Sequence, residues 1–440
     1  MAHGGDSESD ERGAVKIGLR CKANEVEGFP HVAAQGFPRE PMATRKTLPP
    51  PPPMLAHLGH SDDPDSLDAV NEVIDQIMTD LAGAEPKAAL LFCSVEYEHQ
   101  VLLDRIQEQW PGLPLVGGTS DGEFSSSLGF CEDSVLMTVF SGDDLVVHAG
   151  MGRDLSGDMD AAVKAAMEGA GMEGAQDFTP SVCLTAFAPT TDASAVISKL
   201  AKHLPDVRCP VLGGLSADHR EFQRTREFFG NEVLSDSLPI LLIQGKIASS
   251  WGVGSGWFPI GGEMTITSSE GSVVKEIDGR PALAVYRDNY GEVPSNSLGE
   301  YPLAFIDDSG TWVLRATLSM DHDNETLTFA GAIPVGSTVR FTQVLEEGLL
   351  SGSEESLTRA LSAFEGESPS IALFFSCAAR KWVLGSEAEK EIDLLKSVAL
   401  DRGLTEIILA GLYCFGEIAP SHGGTKNSFH NETCVSIVLG

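Results

Sequence analysis

Basic residues are scarce in this sequence: 30 Lys and Arg stand against 64 Asp and Glu, a formal charge of −34. Nucleic acid and anionic membrane surfaces would be repelled by such a field, because binding them requires cations that displace counter-ions from phosphate. The eight cysteines include no CxxC pair and no close cluster. That argues against a disulfide-stapled class and a zinc knuckle, and reads as reduced thiols in a cytoplasmic protein. No run approaches the roughly 18 consecutive apolar residues of a membrane helix; segments such as Pro239 to Ile243 have the length of a buried strand. Residues 1–53 lack a sustained apolar period, carry seven acids and seven bases, and end in Pro49 to Pro53. With neither an apolar signal core nor an acid-poor composition, they read as a disordered, proline-rich tail.

The remainder has the make-up of a folded protein: over 440 residues, 42% are hydrophobic and 21% charged, enough for about three structural units. Self-similarity organises it. An amphipathic segment through Leu67, Val70, Ile74, Ile77 and Leu81 predicts a helix, followed by a strand Ala88 to Cys93, a helix His99 to Gln109, the turn Gly117-Gly118-Thr119-Ser120 and a strand Ser134 to Phe140. The same order returns with Gly213-Gly214-Leu215-Ser216, 96 residues on, and again with Gly411-Leu412-Tyr413-Cys414. We expect an α/β, mixed α+β protein: three helix-strand-helix-strand-strand units forming mixed sheets flanked by helices, with a β-rich linking subdomain. The boundaries read as tail 1–53, a first domain of two repeats 54–257, and a second domain 258–440, made of the β-rich subdomain 258–345 and the third repeat 346–440.

Two short motifs invite other readings. Gly118-Thr119-Ser120-Asp121-Gly122 satisfies the G-x-S-x-G nucleophile elbow, so a serine hydrolase using Ser120 is an alternative, with His148, His219 or His430 as base. The residues after it show no helical period, and the other repeats break the pattern. Gly252-Val253-Gly254-Ser255-Gly256 lacks the lysine and flanks of a nucleotide loop and reads as a turn or bulge.

The ordered set Gly117–Glu123, Gly213–Ser216, Gly256–Gly261, Asp278–Tyr286, Phe375–Arg380, Gly416–Pro420 and Phe429–Thr433 resembles the FIST family, N-terminal and C-terminal domains together, over about residues 57–440. The resemblance implies a non-enzymatic intracellular sensor in signal transduction that binds a small, amino-acid-like ligand and passes its signal to a separate protein. No F-box pattern is visible in residues 1–60. Some members resemble haem-holding nitric-oxide sensors, which makes His430 an axial-ligand candidate; otherwise no cofactor or metal is expected. This sequence departs from the family pattern at Glu432, where the motif carries Gln, at Ala379, where it carries Gly, and at Cys414, where Thr is common. A carboxylate at 432 disfavours an anionic ligand group.

If the turns of the first and third repeats line one cleft, backbone N–H groups around Gly117, Gly118 and Gly411 would receive a carboxylate, and Gly416, Ser120 and Ser216 would join the ligand-binding set. Glu123 or Glu417 would meet an ammonium, Arg280 a carboxylate, Asn431 either partner, and Tyr413 would supply a wall. Arg280 and Glu417 have a structural ion pair as their other reading, and His430 a core or capping role.

Overall fold

The computed structural model describes residues 54–172, 178–189, 192–204, 209–306, 310, 312–421 and 426–440. The proline-rich tail therefore lies outside the described residues. Each repeat opens on a strand that the sequence reading did not anticipate: Leu55–Ser61, Val146–Arg153 and Ser249–Gly254. In the first repeat there follow helix Ser66–Leu81, strand Pro86–Cys93, helix His99–Gln109, strand Leu115–Thr119 and closing strand Val135–Ser141. The first helix begins where the Asp65 carboxylate accepts from the Leu67 and Asp68 N–H groups, and buries Val70, Val73, Ile74, Ile77 and Leu81.

The sheet order is the same in all three repeats. The opening strand pairs antiparallel with the closing strand, which pairs antiparallel with the first inner strand, which pairs parallel with the second. The inner strands alternate between two cores. Leu90 and Phe92 of the first repeat, Leu184 and Ala186 of the second, and Leu373 and Phe375 of the third share one central cluster. Their neighbours in sequence, such as Leu91, Cys183 and Phe374, face the helices of their own repeat.

Each sheet is completed by a hairpin from another repeat. Glu123–Ser125 and Gly129–Cys131 of the first repeat extend the sheet of the third. Glu227–Phe229 and Glu232–Leu234 of the second extend the first, and Glu417–Pro420 and Asn427–His430 of the third extend the second. The exchange closes on itself, so the repeats form one interlocked body.

The β-rich segment interrupts the third repeat, between its opening strand and helix Glu346–Ala363. It holds strands from Phe258–Glu270 to Thr338–Gln343 and helix Ala282–Tyr290 around a core of its own that includes Ile266, Tyr286, Phe329 and Phe341.

Gly252-Val253-Gly254 is strand, not turn. Its glycines let the following helix lie against the sheet: a Cβ at Gly252 would stand 2.0 Å from the Ser356 carbonyl oxygen, and one at Gly254 1.9 Å from that of Gly352. Gly150 and Gly152 meet Ala166 and Ala162 in the second repeat in the same way. Gly252→Ala must therefore push helix from strand, and is expected to cost about 1–3 kcal/mol, read as a lowered urea midpoint at unchanged m-value.

Candidate functional site

The glycine turns of the three repeats do converge, but on one another. Asp121 N–H donates to the Tyr413 carbonyl and Tyr413 N–H to that of Gly122, at 2.8 and 2.9 Å. Ala217 N–H donates to Thr119 and Leu215 N–H to Gly416, each at 2.9 Å. Gly118 abuts the Ser216 hydroxyl and Gly214 the Cys414 sulfur, where a Cβ would come within 2.5 and 2.8 Å. The glycines serve close approach between repeats, and Gly117, Gly118 and Gly411 lie in strands paired on both sides.

The side chains of these turns are sealed as well. Glu123 begins the exchanged hairpin of the first repeat and is fully buried, its carboxyl bonded by Ser120 and Ser134. Glu417 occupies the same place in the third repeat, bonded by Thr433 through Oγ1 at 2.6 Å and N–H at 3.2 Å. Glu227, which the sequence reading missed, is their counterpart in the second, bonded by the Ser237 hydroxyl at 3.2 Å. Burial pushes all three carboxyls up, to about 7 for Glu123 and Glu227 and about 8 for Glu417. The signal for Glu227 was present: an acid directly before a buried apolar residue, as in Glu123-Phe124 and Glu417-Ile418.

Four further expectations are corrected. Tyr413 gives its hydroxyl to Glu391 at 2.5 Å and is packed within the third repeat. Gly416, at φ 140°, has Phe429 where a Cβ would be. Arg280 sits on the surface of the β-rich segment, paired with Asp288 at 2.6 Å. Ser120 is bonded to Glu123 and to the Cys93 carbonyl, and no histidine is among its partners.

A different serine has the connectivity of a triad. Ser94 Oγ lies 3.1 Å from His219 Nε2, and His219 Nδ1 lies 3.1 Å from Asp121. Ser94 is fully buried, however, and donates to Asp133 at 2.5 Å, while His219 Nε2 also meets Asp133 at 3.1 Å. The bond to Asp121 holds the imidazole above its usual pKa, so it is biased toward the protonated form, which cannot accept the serine proton.

Two cavities receive expected residues. His430 borders a groove of about 1080 Å³ between helix Ala193–His203, hairpin strand Asn427–His430 and the β-rich segment. Its Nε2 donates to the Ala419 carbonyl at 3.0 Å, and burial pushes the ring down to about 4, so it is neutral and holds its hairpin together. The groove walls carry Ser194, Ser198, Ser337, Thr338, Ser421 and Ser428. Leu204, Phe305, Val313, Val335 and Phe429 line it as well, and the Nε2 that would ligate a haem iron is already given to Ala419.

Asn431 borders the other, a cavity of about 160 Å³ beside the third turn. It shares that wall with Glu432, whose backbone is in the left-handed region at φ 60°. Two bonds clamp this corner: Ser255 Oγ donates to the Glu432 carbonyl at 2.8 Å, and Cys377 N–H to that of Thr433 at 2.9 Å. Both carboxylate oxygens of Glu432 and Oδ1 of Asn431 are buried without a hydrogen-bond partner. Burial, then the charge of Glu417, push the Glu432 carboxyl well above the usual range, opposed by Arg380. Opposite stand Trp382, Phe415 and Phe222. Phe222 stacks on Phe415 at 4.2 Å, and Arg220 lies 4.1 Å over the Trp382 ring.

Phe222 and Arg220 belong to a loop in which His219, Arg220 and Phe222 all have positive φ. The Asp218 carboxylate holds it by accepting from the N–H groups of Phe222, Gln223 and Arg224 at 2.6–2.7 Å. A loop of the second repeat is thus laid over a cavity of the third. Glu432 was flagged by its departure from the family motif; nothing in the sequence signalled the loop's role, because its partners are distant in the chain.

Comparison with known proteins matches the FIST N domain over residues 87–280 and the FIST C domain over 282–420. An uncharacterised protein of Methanocaldococcus jannaschii is 28% identical over 149 residues, 30% of this chain and 29% of that protein. Another, of Mycobacterium tuberculosis, is 26% identical over 253 residues, 55% of this chain and 63% of that protein. The chain thus spans less than two thirds of the length of these curated relatives. Among solved structures, a cyanuric acid hydrolase of A. caulinodans is 12% identical, with a TM-score of 0.34 over 88% of this chain and 99% of that one. So low a score carries nothing about activity. Two domain matches, consecutive and in the expected order, place the protein: this chain belongs to the FIST family.

Proposed function

We propose that the protein is an intracellular sensor in signal transduction, which binds a small ligand in the cavity at Asn431 and Glu432 and passes the signal to a separate protein. One observation carries this reading: two residues that line a small cavity with aromatic walls, Asn431 and Glu432, hold three buried acceptor oxygens without partners. Buried polar groups are almost always bonded, so orphans beside a cavity mark where a ligand supplies the missing donor. Membership of the FIST family supports the sensory role. The loop 218–224 supplies a segment that ligand binding can press upon, and its exposed Phe222 stands at the cavity mouth.

Binding without turnover is the reading that Ser120 and Ser94 support, since both hydroxyls are buried and committed to carboxylates. Amino acids and their derivatives are the class with which to begin. In a thermal-shift screen of such compounds, at least one is expected to raise the melting temperature with the logarithm of its concentration, reaching about 2.7 kcal/mol of stabilisation at a hundred times its Kd. If none does, while p-nitrophenyl esters are hydrolysed and Ser94→Ala stops the hydrolysis, the protein is an enzyme and this proposal fails.

A further inference from the structure

We infer that the cavity at Asn431 and Glu432 takes the protonated amine of a small organic cation without an α-carboxylate, with Glu432 as counter-ion and Asn431 Oδ1 as second acceptor. The inference rests on the sensory reading above and narrows its ligand class.

The chemistry follows from what the corner lacks. It offers three buried oxygens and no donor to them. An ammonium group carries three donors and no acceptor, so one group answers the whole set. A neutral alcohol or amide would leave part of it unmet, and leaving a buried polar atom unpaired is what binding must overcome. Trp382, Phe415 and Phe222 in the lining favour an apolar body on the ligand.

Charge argues against a zwitterion. The cations around the cavity are already engaged: Arg220 with Glu300, Arg380 with Glu391, and Lys381 with Asp121 and Glu132. A ligand carboxylate would instead set acceptor oxygens against the unpartnered acceptor oxygens of Glu432 and Asn431. Size sets the rest. A volume of about 160 Å³ is close to that of a cavity known to hold benzene, so the ligand has on the order of six to nine non-hydrogen atoms.

The test compares matched compounds on the full chain by calorimetry and thermal shift: isoamylamine and phenethylamine, their parent amino acids leucine and phenylalanine, and the carboxylates 4-methylpentanoate and 3-phenylpropionate. An amine is expected to bind and stabilise, while its parent acid and the carboxylate do not. Glu432→Gln is expected to weaken amine binding by about tenfold or more without lowering the melting temperature of the free protein, since it removes a buried acid and keeps its shape. Leu318→Lys, at the exposed rim, leaves the interior untouched and is expected to weaken it about two- to five-fold. Binding of amino acids but not amines would overturn the inference and leave the sensory reading standing. Amine binding unchanged in both variants would overturn it too. Silence from all three compound classes and from the wider screen would remove both.

Discussion

Arg380→Ala is expected to cost about 3–5 kcal/mol of folding free energy, the largest loss from any single substitution considered. Arg380 and Glu391 form an ion pair of 2.8 Å with no solvent exposure on either side chain. The guanidinium also donates to the Leu349 carbonyl at 2.9 Å, to Ser353 and Ser376, and to the Ser255 carbonyl. Glu391 takes the Tyr413 hydroxyl on its other oxygen. Removing the arginine leaves a carboxylate in a dry interior, whereas removing both charges does not. The double variant Arg380→Met, Glu391→Leu is therefore expected to recover most of the loss. Urea titrations of the two variants check this: a double variant as unstable as the single would mean that the hydrogen bonds to Ser255 and Leu349, and not the uncompensated charge, govern the site.

Stability is expected to fall steeply as pH rises from about 6.5 to 8. Glu123, Glu227 and Glu417 keep their protons to about 7, 7 and 8 in the folded protein, against 4.3 for an unfolded chain. Between those limits the folded state holds more protons, so raising the pH favours unfolding, by up to about 1.4 kcal/mol per unit for each carboxyl. His60 and His430 act in the other direction and lower down. Both are pushed to about 4 by burial, so their penalty is felt below about 6.5 and has vanished above it. From 6.5 upward the carboxyls act together with His219, which Asp121 holds above its usual value, and with the buried Glu432, and all of them lower stability as pH rises. A urea midpoint that did not change over this range would refute the assignment, and Glu227→Gln is expected to make the slope shallower, most visibly at its lower end.

The helices and inner strands were legible because each obeys a period: 3.6 along Val70, Ile74, Ile77 and Leu81, and an unbroken apolar run in Leu238 to Ile243. The opening strands were not, since Leu55–Ser61 contains two histidines and a glycine, and Ser249–Gly254 looks like turn sequence. The exchanged hairpins have strands as short as three residues, too few for any alternation to show, and their register depends on contacts with other repeats. The same gap explains the site. Glycines, serines and acids at the strand ends pointed to chemistry at a shared centre. The centre exists, but Glu123 and Glu417 are bonded within it by neighbouring hydroxyls, and the turn backbones by one another. Asn431 was found because a motif carried it; Trp382 comes from the third repeat and Arg220 and Phe222 from the second, and they share nothing that a linear reading can see. Glu227 escaped because eleven residues separate it from Ser216, where three separate Glu123 from Ser120.

The lending of hairpins also governs how the chain must be assembled. The sheet of the first repeat stays open-edged until residues 227–234 have left the ribosome, and the hairpin at 123–131 waits some 280 residues for the strand it joins at Ala410–Leu412. Until then its backbone groups are free to pair with whatever edge is nearest, including that of another nascent copy. No third of this molecule is a finished object, and a gene cut between repeats would yield fragments each offering one hairpin and lacking another.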